Sequence, residues 1–152
     1  MKKAVTKQQL GPRADVKTMD FFKVHFGTVN AGAEYALEAF YSLFRATLRE
    51  LRGKFQQEEL MLLIDGMRDR ELTAVNAGQG FLNEIEDAIH LNGADKLWNV
   101  KREEIIKKIR MLSVSQRALL EVWAHGFWKA NRGGNEETME KEAMREWAQQ
   151  LV

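Results

Sequence analysis

The sequence predicts a mainly α, multi-helix protein, and three observations carry that prediction. Only one proline, Pro12, interrupts 152 residues. Apolar residues return at steps of three and four through successive segments, which is the period of one helix face. Capping residues and glycines fall at the ends of those segments.

The elements follow in chain order. Residues 1–11 are polar and basic, with Lys2, Lys3 and Lys7 among few apolar residues. They read as a solvated tail or as a short strand over residues 6–10, stopped by Gly11-Pro12. Over residues 1–27 six Lys or Arg stand against Asp15 and Asp20, a local positive excess. In residues 13–26, Val16, Met19, Phe22 and Phe26 fit a helix face closed by Gly27. Phe22 to Phe26 also alternates as a strand would, but length and Gly27 favour helix.

Residues 30–52 are the most strongly patterned stretch. Asn30 is the expected N-cap, its side-chain oxygen accepting from a first-turn amide. Gly53 is placed for a left-handed C-cap. Ala33, Leu37, Phe40, Phe44, Leu48 and Leu51 form one face, and Tyr35, Ala36, Ala39, Leu43 and Ala46 an adjoining stripe. The polar line is narrow: Glu34, Glu38, Ser42, Arg45, Arg49 and Arg52. The acids stand toward the positive end of the helix dipole and the arginines toward the negative end. Such breadth of apolar surface predicts cover on several sides, from this chain, a second copy, or both.

Residues 55–67 read as a buried helix with early acids, followed by a polar connection over 68–71. Residues 76–90 give a helix with Phe81, Leu82, Ile85, Ala88 and Ile89 inward, stopped by Leu91-Asn92-Gly93. Residues 101–112 give a short helix with Ile105, Ile106 and Ile109 inward. Ser113 to Ser115 caps the next, whose core side is Leu119, Leu120, Trp123, Phe127 and Trp128. After a break at 131–135, residues 136–150 are amphipathic through Met139, Ala143, Met144, Trp147 and Leu151. Val29-Asn30-Ala31-Gly32 recurs at residues 75–78 as shared capping grammar, not as a structural repeat.

Composition narrows the function classes. A length of 152 residues suits one domain, or a small module with a helical extension. The 45% hydrophobic content suffices for a core, and a net charge of +1 leaves only a local patch for polyanions. With no cysteine, disulfides, thiolate metal sites and cysteine nucleophiles are excluded. No apolar run approaches eighteen residues and the N-terminus lacks a secretory h-region, so a cytoplasmic protein without membrane contact is expected.

Residues 4–45 then show an order that resembles the ribbon–helix–helix repressors of the Arc/MetJ class. A basic polar segment leads to a break, a helix, a glycine turn and a second helix entered at Val29-Asn30. In that family two N-terminal strands pair into an antiparallel ribbon that enters the major groove of double-stranded DNA. The resemblance implies an intertwined homodimer, with Thr6, Lys7, Gln8 and Gln9 as ribbon readers and Lys2 and Lys3 as neighbouring basic contacts. Thr28, Val29 and Asn30 would clamp a phosphate at the second helix's N-terminus. Residues 1–53 would form this module, with residues 54–152 as a helical extension packed on it or continuous with it.

Other constellations carry less. His25, His90 and His125 lack zinc-site spacing. Glu86 and His90 share a helix face, where solvation explains them better than a metal. No phosphate loop, nucleophile elbow or triad order is present, so an enzyme is not expected, nor any cofactor. Trp123 and Trp128, five apart, cannot share the centre of one face, which leaves one as a candidate anchor for a protein partner at the C-terminal helices. The leading expectation is a bacterial DNA-binding transcriptional regulator acting as a dimer. The alternative is a helical interaction module (an inhibitor, adaptor or mobile-element component) that binds no nucleic acid.

Overall fold

The structure, a computed structural model, describes residues 16–68, 82–83, 85–87, 98–131 and 137–152. Within them the chain is mainly α and contains no strand. Among the described residues these helices have both ends defined: α1 (Val16–Phe26), α2 (Val29–Leu51), α3 (Gln57–Gly66), α4 (Arg102–Arg110), α5 (Val114–Ala130) and α6 (Glu137–Ala148). The strand alternative at residues 6–10 lies outside the described residues, as does most of the helix expected over 76–90. Of that helix, Leu82 and Ile85 are described, helical and buried. The chain divides into two compact units, Met1–Ser42 and Leu43–Val152. α2 is continuous across the division.

In the first unit α1 ends where expected. Gly27 takes a φ of 81° and returns its amide to the Lys23 carbonyl at 3.0 Å. Gly27 and Thr28 alone link the two helices, and this corrects the expected cap. The Thr28 Oγ1 accepts from the Ala31 amide at 3.1 Å, and its carbonyl takes the first helical bond, from Gly32. Because Gly27 completes the reversal, α2 begins at Val29, and Asn30 sits exposed in its first turn. The helices approach closely at Gly32, where a Cβ would lie 2.7 Å from the Cβ, Cγ and Cδ1 of Phe22. Phe26 and Tyr35 stack at 5.2 Å between ring centroids.

The second unit has a continuous apolar core. α3 supplies Leu60 to Ile64, all buried, because it packs against both α5 and α6. Ile105, Ile106 and Ile109 of α4 and Trp123 and Phe127 of α5 join it, as do Met144 and Leu151 from the C-terminal segment. Phe44, Leu48 and Leu51 of α2 pack into the same core. Ser113 caps α5 reciprocally: its Oγ accepts from the Gln116 amide and the Gln116 Oε1 from the Ser113 amide. This is the mutual satisfaction of orphan amides that defines a capping box. Gly53, at a φ of 74°, ends α2 as expected and donates its amide to the Leu151 carbonyl at 2.8 Å.

All four indoles are engaged inside this unit. Trp98 donates to Asp65, Trp123 to Gln150, Trp128 to the Ile64 carbonyl and Trp147 to the Trp123 carbonyl. Trp128, the more exposed of the α5 pair, carries the Arg68 guanidinium 4.5 Å above its ring. It therefore serves the α3 contact within the unit.

Candidate nucleic-acid interface

The residues singled out from the sequence fall in two places. Lys2, Lys3, Thr6, Lys7, Gln8 and Gln9 lie outside the described residues. Thr28, Val29 and Asn30 are together at the start of α2. The Thr28 hydroxyl is occupied as the cap, Val29 is half-buried and the Asn30 side chain is exposed. The helix start leaves further amides directed outward, as every α-helix does. The cap of this N-terminus is made by Thr28 rather than Asn30.

The first unit's surface differs from expectation. Gly32 is the only fully buried residue among its described residues. No residue of α1 is buried; Met19 and Phe22 are half-buried, Phe22 against Gly32 of α2. Phe21, Val24, Tyr35, Leu37, Phe40 and Tyr41 are exposed, at 45–78% of their surface. Summed over these six residues the exposed surface is roughly 600–700 Å², taking about 150–250 Å² for a full aromatic side chain. The breadth of α2 was legible in the sequence; that this part of it faces outward was not.

The second unit holds a different surface. A cleft of about 270 Å³ is lined by Arg45, Leu48, Arg49, Arg52 and Gln150. The arginines occupy one helix line, at spacings of four and three. Arg52 reaches the Gln150 carbonyl at 3.5 Å. The Arg-x3-Arg-x2-Arg pattern was visible in the sequence as a complement to the helix dipole. The participation of Gln150, ninety-eight residues away, was not.

Two buried polar features of this unit also escaped the sequence reading. Glu59 is buried with its carboxylate on Lys108 Nζ at 2.6 and 2.8 Å, and its Oε2 also accepts from the Gln56 amide. Glu121 and His125, one turn apart on α5, are both buried. The His125 Nε2 has no hydrogen-bond partner, and burial, with Lys129 adding to it, holds the imidazole below its ordinary pKa. Hydropathy gives no sign of either, because α5 is enclosed around most of its middle turns. Among the described residues no three His, Asp or Glu side chains gather as metal ligands. Nor is any helix among them long and apolar enough to cross a membrane.

Comparison with known proteins finds no matching family model, no matching curated protein and no matching solved structure.

Proposed function

We propose that this chain is a dimeric, non-enzymatic DNA-binding regulator of ribbon–helix–helix type, reading the major groove through a ribbon formed by its basic N-terminal segment and that of a second copy. The observation that supports this most is the helix pair of the first unit. α1 and α2 are joined by Gly27-Thr28 alone, yet they enclose no apolar core of their own among the described residues. A module of this kind completes its interior against a partner. Its exposed apolar side chains, roughly 600–700 Å² in sum, are enough to supply much of the roughly 800 Å² per partner of a standard stable interface. In a ribbon–helix–helix dimer the partner is a second copy. The excess of lysine and arginine ahead of α2 supplies the positive face such a dimer presents to DNA.

Fluorescence anisotropy with duplex fragments from the neighbouring genome, across a salt series, tests the reading. Binding should weaken steeply with salt and should be lost in a K2Q/K3Q/K7Q variant. Light scattering should give a dimer that Leu37→Glu converts to monomer. A wild-type monomer at micromolar concentration, or no binding to any fragment at low salt, sinks the proposal.

The open aromatic surface also favours a second reading, a helical module for a protein partner, since aromatic residues are enriched at interfaces. In that case DNA does not bind, and residues 1–12 are clipped at once by protease in the free protein.

A further inference from the structure

The arginine cleft of the second unit has a chemistry of its own. Between residues 45 and 54 stand four cations, Arg45, Arg49, Arg52 and Lys54, and a single carboxylate, Glu50. That carboxylate is held by Gln116, whose Nε2 donates to it at 3.0 Å. Four other cations of the unit meet carboxylates. Arg68 pairs with Asp65 and Glu140, Lys101 with Glu104, Lys108 with Glu59 and Arg110 with Glu86. Arg49, by contrast, makes no hydrogen bond or ion pair with any described residue, and Arg52 makes only its long contact to the Gln150 carbonyl.

Like charges one turn apart on a helix destabilise it by a few tenths of a kcal/mol. The helix dipole offsets this within the last turn, which covers Arg49 and Arg52. The dipole does not account for a cleft. Gln150 adds a further donor: its Oε1 accepts from the Trp123 indole at 3.2 Å, which leaves the amide nitrogen free to donate. Leu48 lies between the arginines.

We propose that this cleft is a contact for the phosphodiester backbone of DNA, belonging to the second unit and separate from the ribbon. The proposal rests on the DNA-binding reading above. The guanidinium fork matches phosphate oxygens in pairs, and helix-borne arginines are common carriers of backbone contacts that fix register without reading sequence. The donors stand in a row and do not converge on one point. Seven residues of helix at about 1.5 Å each give about 10 Å, which is longer than one phosphate group and lets the side chains reach neighbouring phosphates of one strand. A row of that length suits an extended polyanion better than an isolated phosphate.

The test is the salt dependence of duplex binding by the whole chain, comparing wild type with R45Q/R49Q/R52Q. Three neutralised phosphates contribute about 2.7 to the slope of log affinity against log salt. Between about 50 and about 200 mM salt the wild type should therefore lose about 40-fold more affinity than the triple variant. The loss should be the same for every duplex sequence, and R45K/R49K/R52K should restore the slope. Thermal melting by circular dichroism confirms that the variants are folded. If the wild type binds and the triple glutamine variant keeps its slope, the cleft proposal fails while the DNA reading stands. If the wild type binds no duplex, both fail. Arginine-dependent binding of polyglutamate in place of DNA overturns the proposal in favour of an acidic protein partner.

Discussion

Replacing Lys108 by methionine is the sharpest probe of the second unit's interior. The Glu59 side chain is only 6% exposed, and Lys108 supplies its charge partner, with Nζ within hydrogen-bond distance of both carboxylate oxygens. The one other contact seen to the carboxylate comes from the Gln56 amide at 2.8 Å. Methionine keeps the aliphatic stem near the Phe55 ring and removes the charge. Breaking a fully buried pair costs about 3–5 kcal/mol, because a desolvated charge is left behind. Lys108 is itself 35% exposed, so water reaches part of the vacated site and the expected cost falls to about 2–3 kcal/mol. Glu59→Gln strands no buried anion and should cost about 1 kcal/mol. The double variant should therefore be more stable than K108M alone. Urea unfolding at pH 7 measures this as a shift in midpoint at constant m-value. A K108M cost below about 0.5 kcal/mol, or a double variant weaker than K108M, would refute a desolvated carboxylate at Glu59.

Two further predictions concern other parts of the chain. A side chain at Gly32 must push against the Phe22 Cβ, which is fixed to the α1 backbone. Gly32→Val should cost about 1–3 kcal/mol and open residues 16–42 to protease; a G32V protein as protease-resistant as wild type contradicts the close approach. Burial lowers the pKa of His125, so the native state resists a proton that the unfolded chain accepts at about 6.5. This histidine's contribution is fully present above that pH and is lost as pH falls toward the folded pKa, at no more than about 1.4 kcal/mol per pH unit. H125Q should flatten the urea midpoint between pH 7.5 and 5.5, and an unchanged profile would rule the histidine out.

Local features were the legible ones. Gly27, Gly53 and Ser113 announce helix ends because the residues involved are neighbours in sequence. The period of three and four found the inward isoleucines of α4 and the core side of α5. Where two neighbouring residues compete, local reading fails: Asn30 is the stronger cap by type, but Thr28 is the residue that the Gly27 turn delivers. Periodicity also reports that a face is apolar without saying what covers it. That is why Leu51 is buried while Leu37, on the same face four turns earlier, is 55% exposed. Glu121 and His125 were missed because their burial depends on enclosure from several sides, which no single helix encodes. Gln150 could not be joined to the arginine row from sequence, since a contact across ninety-eight residues leaves no periodic trace.

The tie between the Gly53 amide and the Leu151 carbonyl sets a schedule for folding during synthesis. The end of α2 and the start of α3 close against residues made ninety-eight positions later. At about 5–20 residues per second, that separation corresponds to roughly 5–20 s on the ribosome. Throughout that interval Leu51, Phe55 and the run from Leu60 to Ile64 wait for Met144, Ala148 and Leu151 to complete their surroundings. A nascent chain halted before residue 144 should therefore hold these apolar residues in a form that chaperones recognise, and release them abruptly once the last helix emerges.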